Sequence, residues 1–192
     1  MEIILASRSP RRRELLSEIF PDFKVISYDV DETVEPGLDI KSATELIAIR
    51  KGRVVKDVVG KEALVISSDT LVELDGVPLG KPATPDHAIA MLLNLSGREH
   101  NVHTGVAVHY HGRVLSATAT SSVTFRELTR EEVLDYVATG EPMDKAGSYG
   151  IQGLGGAFVS GYTGEFNTIV GLPLELTRTL CERILKEEDD QK

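Results

Sequence analysis

The sequence has one cysteine, Cys181, and no tryptophan, with five tyrosines and five phenylalanines as its whole aromatic content. A lone thiol excludes an intramolecular disulfide and points to a reducing, cytoplasmic setting. Nothing beside Cys181 in sequence would lower its pKa, so burial in packing is expected of it and not nucleophilic chemistry. Aromatics make up 5% of the chain and are not interleaved with basic residues, which argues against a stacking platform for single-stranded nucleic acid. No apolar run approaches the roughly 20 residues of a membrane span. The first residues are strand-like and the basic residues follow them, the reverse of a secretion signal. Basic residues are outnumbered 21 to 30, for a net charge of −9. That balance excludes a general nucleic-acid binder but leaves room for a local basic pocket that takes a small anion. The histidines build no zinc cluster: His100 and His103 fall in a strand pattern and face opposite ways, and His109 and His111 flank a hairpin turn in solvent. A Gly-x-Ser-x-Gly elbow is missing, so a Ser-His-Asp hydrolase has no support.

With 41% hydrophobic residues over 192 positions, the chain suits one domain with an acidic tail, about 187–192, that frays. Ile3 to Ala6 reads as a buried strand, and the apolar spacing of Leu15, Leu16, Ile19 and Phe20 reads as a helix face. A strand is expected over Phe23 to Val30. The run Ser42-Ala43-Thr44-Glu45 reads as a capping box for a helix with Leu46, Ile47, Val54, Val55 and Val58 on its apolar side and Gly60 as its stop. Ala63 to Ile66 is a second buried strand, followed by a hairpin around Asp75-Gly76. Thr84-Pro85 opens a helix that closes near Gly97. Val102 to Val108 and Val114 to Phe125 pair around His111-Gly112. A second capping box, Thr129 to Glu132, starts a helix ending at Gly140. Residues 144–156 form a long structured loop; Ala157 to Val159 and Phe166 to Val170 are expected as final strands, and Pro173 starts a terminal helix. Strands alternating with helices, plus one long hairpin, give an α/β fold with a mixed sheet.

The richest stretch is Ser7-Arg8-Ser9-Pro10-Arg11-Arg12-Arg13. Ser9 can cap a free amide, and proline suits the first helical position. Three arginines in the first turn face an already positive helix dipole, each at a cost of about 0.3–1 kcal/mol. A strand, a short polar loop, a helix start and clustered guanidinium groups describe an anion site, most simply for phosphate. The alternative is a solvated basic face; the strand, cap and proline together favour the anion site. Asp69 sits at the carboxyl end of an apolar strand, where α/β folds place ligand contacts, and could hold a metal or accept a proton from water. Lys81, on the stiff Gly80-Lys81-Pro82 turn, could meet phosphate, although the spacing is not that of a Walker loop. The acidic run Asp29 to Glu32 and the glycine-rich loop with Asp144, Lys145 and Gln152 complete the parts. Polyphosphate plus a divalent metal is the economical interpretation.

Several ordered motifs resemble the Maf family of nucleoside triphosphate pyrophosphatases, from about Ile3 to Pro173. They are Leu5-Ala6-Ser7-x-Ser9-Pro10-Arg11-Arg12, Asp69-Thr70, Gly80-Lys81-Pro82, Leu95-Ser96-Gly97, Glu141-Pro142-x-Asp144-Lys145-Ala146-Gly147, Tyr149-Gly150-Ile151-Gln152-Gly153 and Val170-Gly171-Leu172-Pro173. The resemblance implies a strongly twisted mixed sheet flanked by helices, with two lobes around a nucleotide cleft, as in inosine triphosphatase-like proteins. It implies hydrolysis between the α and β phosphates with Mg²⁺ or Mn²⁺, no nucleic-acid or membrane partner, and a homodimer. It carries Asp69 over as catalytic proton acceptor and metal ligand, and Glu32 as a residue near the metal. Ser7, Ser9, Arg12, Lys51 and Lys81 match phosphate-lining positions. Arg11, Thr70 and Gln152 match the positions that discriminate substrate, and all three resemble the branch acting on dTTP and UTP.

The chain departs from the family pattern at Ser67-Ser68, where Gly-Ala is common, and at Gly52, where Ala is common. Glycine in a helix interior costs about 0.5–1 kcal/mol relative to alanine. A competing reading needs the same pocket but no turnover: a nucleotide-responsive regulator of division or septum formation.

Overall fold

The computed structural model describes residues 1–34 and 37–189, and the side chains of 188 and 189 are not considered. Among the described residues, seven strands form one mixed sheet: β1 (Ile3–Leu5), β2 (Lys24–Val25), β3 (Leu64–Leu74), β4 (Val77–Leu79), β5 (Glu99–Tyr110), β6 (Arg113–Phe125) and β7 (Val159–Thr163). Their order is β2-β1-β3-β5-β6-β7, with β4 paired to β3. β1 runs parallel to both β2 and β3, while β3–β4 and β6–β7 are antiparallel. The helices are α1 (Pro10–Ser17), α2 (Ile40–Val59), α3 (Pro85–Leu95), α4 (Arg130–Ala138), α5 (Phe166–Val170) and α6 (Leu174–Asp189).

The chain divides into two compact units. The first holds residues 1–69, 104–119 and 171–192; the second holds 70–103 and 120–170. The first unit includes a core of Ile4, Ala6, Val55, Ala63 and Val65, where parallel strands buried on both faces read as continuous apolar runs. In the second, α3 and α4 cover Val72, Leu74, Val102, Val123 and Phe125. Four of the ten aromatics gather there: Phe125 meets Tyr149 at 4.7 Å between ring centroids, and Tyr136 meets Phe158 at 4.9 Å, both edge to face. Such pairs add about 0.5–1.5 kcal/mol beyond area burial, so a chain poor in aromatics spends them in one core.

Turn chemistry follows the sequence closely. Asp75 and Gly76 both take positive φ (53° and 79°), as do His111 and Gly112 (46° and 79°), the geometry of a tight hairpin whose twist matches its strands. Thr84 caps α3, and Thr129 and Glu132 form the capping box of α4.

Several expectations need correction. Asp69 does not end its strand: Val72 to Leu74 pair with β4, so β3 runs on without a break to Leu74 and Asp69 lies midway along it. Of the strand expected over Ala157 to Val159, only Val159 belongs to β7, which continues to Thr163, while Ala157 and Phe158 close a 3-10 turn. The strand expected over 23–30 is two residues long: Lys24 and Val25 pair with β1, which ends at Leu5, whose carbonyl accepts a last hydrogen bond from Ile26 N–H at 3.1 Å. α2 starts at Ile40, not at Ser42: the Asp39 carboxylate accepts both the backbone N–H and the hydroxyl of Ser42, so the cap lies three residues earlier. The buried face of α2 is Ala43, Thr44, Ile47, Ala48, Gly52 and Val55, while Val54 and Val58 are exposed. Phe166–Val170 is a short helix and not a strand; β7 already pairs with β6, and a short apolar run does not distinguish the two forms by itself. His109 is buried at 3% exposure, since the hairpin continues past it to Tyr110 and α2 covers it. At the C-terminus, Glu187 lies within α6 and its carboxylate pairs with Arg113; residues 190–192 of the expected frayed tail lie outside the described residues. Cys181 is buried, and burial pushes its thiol up to about 12.

Burial holds both His100 and His109 down to about 4; around His109, Lys56 and Arg53 push the same way, while Asp57 and a backbone hydrogen bond to Ile49 oppose. The unfolded chain takes up these two protons near pH 6.5, the folded chain only near pH 4. Stability is therefore expected to fall with pH across that window, by about 1.4 kcal/mol per unit for each histidine. Urea melts at pH 7, 6 and 5 check this, and replacing either histidine by glutamine should remove its share of the slope.

Candidate active site

In the first unit, β1 delivers Ser7 to the start of α1. The Ser7 hydroxyl accepts from Ser9 N–H at 3.2 Å, and the Ser9 hydroxyl accepts from Arg12 N–H at 3.4 Å as the helix cap. The first turn of α1 carries no acidic residue, so its positive end is uncompensated by a side chain of its own. The three arginines then diverge. Arg13 points to solvent. Arg11 keeps its Nε buried and without a hydrogen-bond partner among the described residues, a donor that a ligand oxygen could satisfy. Arg12 turns inward, its Nε donating to Gly171 O at 2.9 Å and its Nη1 to Ser68 O at 2.8 Å. Burial lowers the Arg12 pKa, while Asp69 and Glu32 favour its charge. Ser68 Oγ donates to the same Gly171 carbonyl at 3.0 Å. One guanidinium thus ties α1 to the middle of β3 and to the Gly171 turn.

Asp69 ends the first unit's stretch of β3 and is 6% exposed. Lys51, on α2, places its Nζ 2.6 Å from Asp69 Oδ1 and 2.8 Å from Glu32 Oε1. Two carboxylates share one ammonium, so the cluster carries a net charge of −1 with Asp69 nearly enclosed and Glu32 half open. Among the described residues no three acids, histidines or cysteines gather into a metal cage. Two carboxylate oxygens nonetheless suit Mg²⁺ or Mn²⁺, hard ions that take one or two carboxylates and complete their shell with phosphate and water.

The second unit holds Thr70, Lys81 and Gln152. Thr70 is half-buried directly after Asp69 on β3, and Lys81 is exposed just after β4. Gly80 O accepts from Gly147 N–H at 3.1 Å, which fixes the Lys81 turn to the glycine-rich segment. Gln152 is exposed at the tip of that segment. The structure thus gathers Ser7, Ser9, Arg12, Lys51, Asp69 and Glu32 through contacts within the first unit. Thr70, Lys81 and Gln152 belong to the second.

Sequence reasoning quoted Glu141 only as part of a motif, yet it organises the Gln152 loop. Its carboxylate accepts from Leu154 N–H at 3.0 Å, Gly155 N–H at 3.1 Å and the Tyr136 hydroxyl at 3.0 Å. A Cβ on Gly153 would lie 2.5 Å from Glu141 Oε1, so the loop passes too close for any side chain there. Burial works against the Glu141 charge, but the two backbone donors, Tyr136 and Lys145 outweigh it and hold its carboxyl below the usual range. The signal was available: a lone acid at the head of a glycine-rich segment whose backbone donors need an acceptor.

A helix start that seeks anions and an enclosed carboxylate–ammonium pair midway along a strand, on a mixed α/β sheet, define a hydrolase of phosphorylated ligands. The chain belongs to the Maf family, whose profile, described as Maf-like protein, matches residues 2–184. Curated relatives include the dTTP/UTP pyrophosphatase of Thermococcus onnurineus, 46% identical over 180 residues covering 94% of this chain and 96% of the relative. The protein of the same name from Yersinia pestis is 42% identical over 187 residues, covering 97% and 95%. Among solved structures, the Ham1 protein of Staphylococcus aureus matches with a TM-score of 0.53 at 20% identity over 100% of both chains, a likeness of fold.

Glu141→Ala should release the loop without touching Asp69. A charged acceptor of three hydrogen bonds is worth about 2–3 kcal/mol here. Hydrogen exchange should show Leu154 and Gly155 amides losing protection. Because the folded carboxyl sits low, the native protein should keep this contribution at neutral pH and lose it only as pH falls below about 4.

Proposed function

We propose that this protein hydrolyses dTTP and UTP between the α and β phosphates, releasing the monophosphate and pyrophosphate. The observation that carries the reading is the Asp69 carboxylate, 6% exposed and 2.6 Å from the Lys51 ammonium, in a chain so similar to dTTP/UTP pyrophosphatases. Asp69 accepts the proton of the water that attacks the α phosphorus. Lys51 pairs with both Asp69 and Glu32 in the free protein, offsetting one of their two charges, and turns to the phosphates when substrate arrives. Ser7, Ser9 and the start of α1 bind phosphate oxygens through hydroxyl and backbone donors. Arg12 contributes charge from a fixed position, since two of its nitrogens are engaged by backbone carbonyls. Lys81 adds an exposed cation.

Asp69 and Glu32 would hold the divalent metal ion, which when bound offsets phosphate charge. Arg11, Thr70 and Gln152 select the base; the buried, unmatched Nε of Arg11 favours a substrate with a carbonyl acceptor. We also infer that residues 1–192 act as one Maf-like domain, and that the protein works as a cytoplasmic homodimer. The single buried thiol of Cys181 suits a reducing compartment, and no helix among the described residues is long and apolar enough to cross a membrane.

Incubation with dTTP and Mg²⁺ or Mn²⁺ should yield dTMP and pyrophosphate; orthophosphate with dTDP would overturn the cleavage position. Asp69→Asn should lower kcat by about 10²–10⁴-fold in a folded protein, the range of a lost general base. Gln152→Glu should change the ratio of kcat/KM values across bases, and a uniform loss would remove Gln152 from selection. Nucleotide binding with no turnover under any divalent ion would favour a regulator of division.

A further inference from the structure

α2 carries Lys51 and β3 carries Asp69, so their 2.6 Å contact depends on how closely helix and sheet approach at that level. The residue after Lys51 decides it. A Cβ on Gly52 would lie 2.5 Å from His109 Cδ2 and 2.6 Å from Ser67 Oγ, with His109 Nε2 nearer still. Gly52 lies within regular helix and has no positive φ, so the demand is for space and not for conformational freedom. Ser67 is fully buried, and its hydroxyl donates to Ala48 O, one turn earlier on α2, at 2.7 Å. His109 has a backbone hydrogen bond to Ile49, and its Nε2 has no hydrogen-bond partner among the described residues. A strand serine and a strand histidine therefore grip α2 from residue 48 to residue 52, and Lys51 lies inside the gripped turn.

Resting on the reading of Asp69 and Lys51 above, we propose that Gly52, Ser67 and His109 are positioning residues that seat the Lys51 ammonium against Asp69. Gly52 and Ser67 face each other across this contact. The helix brings no side-chain volume to the contact and the strand brings a hydroxymethyl, so a methyl added on the helix needs volume removed from the strand if the spacing is to be kept. Gly105 supplies an internal comparison at the other end of α2, where a Cβ would lie 2.7 Å from Thr44 O.

The test compares Gly52→Ala, Gly105→Ala and the reciprocal exchange Gly52→Ala with Ser67→Gly. Displacing a site group by about 1 Å can cost up to 10²-fold. Gly52→Ala should lower kcat for dTTP by about 10-fold or more while KM moves less than about threefold. The double variant should recover most of the loss, because the imidazole can shift into the space left by Ser67. Gly105→Ala should melt earlier yet keep kcat. Acylation of Lys51 by an amine-reactive ester, read by peptide mass spectrometry, follows position without needing turnover: slow in the native protein, faster in Gly52→Ala, slow again in the double variant. If the native protein hydrolyses no nucleotide, the functional reading fails and the labelling series still decides the positioning. If Gly52→Ala does not fold, Ser67→Thr crowds the same contact from the strand and takes its place. Native kcat and native labelling in Gly52→Ala, or no recovery in the double variant, would overturn the proposal.

Discussion

The ammonium of Lys51 stands between the carboxylates of Asp69 and Glu32, and much of the first unit serves to keep it there. Burying Asp69 midway along a strand is unfavourable without a counter-charge, and an isolated Lys51 at that depth would meet the same penalty. Each makes the other tolerable. The exposure gradient, from an enclosed Asp69 to an open Glu32, also gives the cluster a direction: charge can be exchanged only at its open side.

Arg12 performs a second balancing role nearby. Its charge is favoured by the same two carboxylates, while its hydrogen bonds are spent on the carbonyls of Ser68 and Gly171. Those carbonyls belong to segments 103 residues apart in sequence, and Ser68 Oγ closes the link to Gly171 directly. A residue that reads in sequence as a ligand clamp is in the structure a strut, holding the stretch of β3 that presents Asp69. Charge and architecture are supplied by one side chain.

What could be read from sequence was what local chemistry dictates. Ser9-Pro10, Thr84-Pro85 and the Thr129 capping box named their helices, and Asp75-Gly76 and His111-Gly112 named their turns. Asp69 was legible because an apolar run leads up to it, but the strand does not stop there as expected and continues to Leu74. What was not legible depended on distant partners. The strand after Phe23 is cut short by the length of β1, which its own residues do not encode. Asp39 and Ser42 compete for one cap, and geometry alone shows the aspartate winning. Gly52 looked like a flaw in a helix, and only the positions of His109 and Ser67 turn it into a requirement. The roles of Arg12 and Glu141 escaped for the same reason, since their partners are backbone groups that no residue type reveals.

The Glu141 carboxylate occupies the inside of the Gln152 loop much as a bound anion would, accepting the backbone donors that a glycine-rich turn leaves over. The loop therefore carries its own template. Ordering a flexible glycine segment is entropically expensive, and here that ordering is complete when the chain folds, before any nucleotide arrives. Whatever meets this segment meets a surface already set by the chain's own hydrogen bonds.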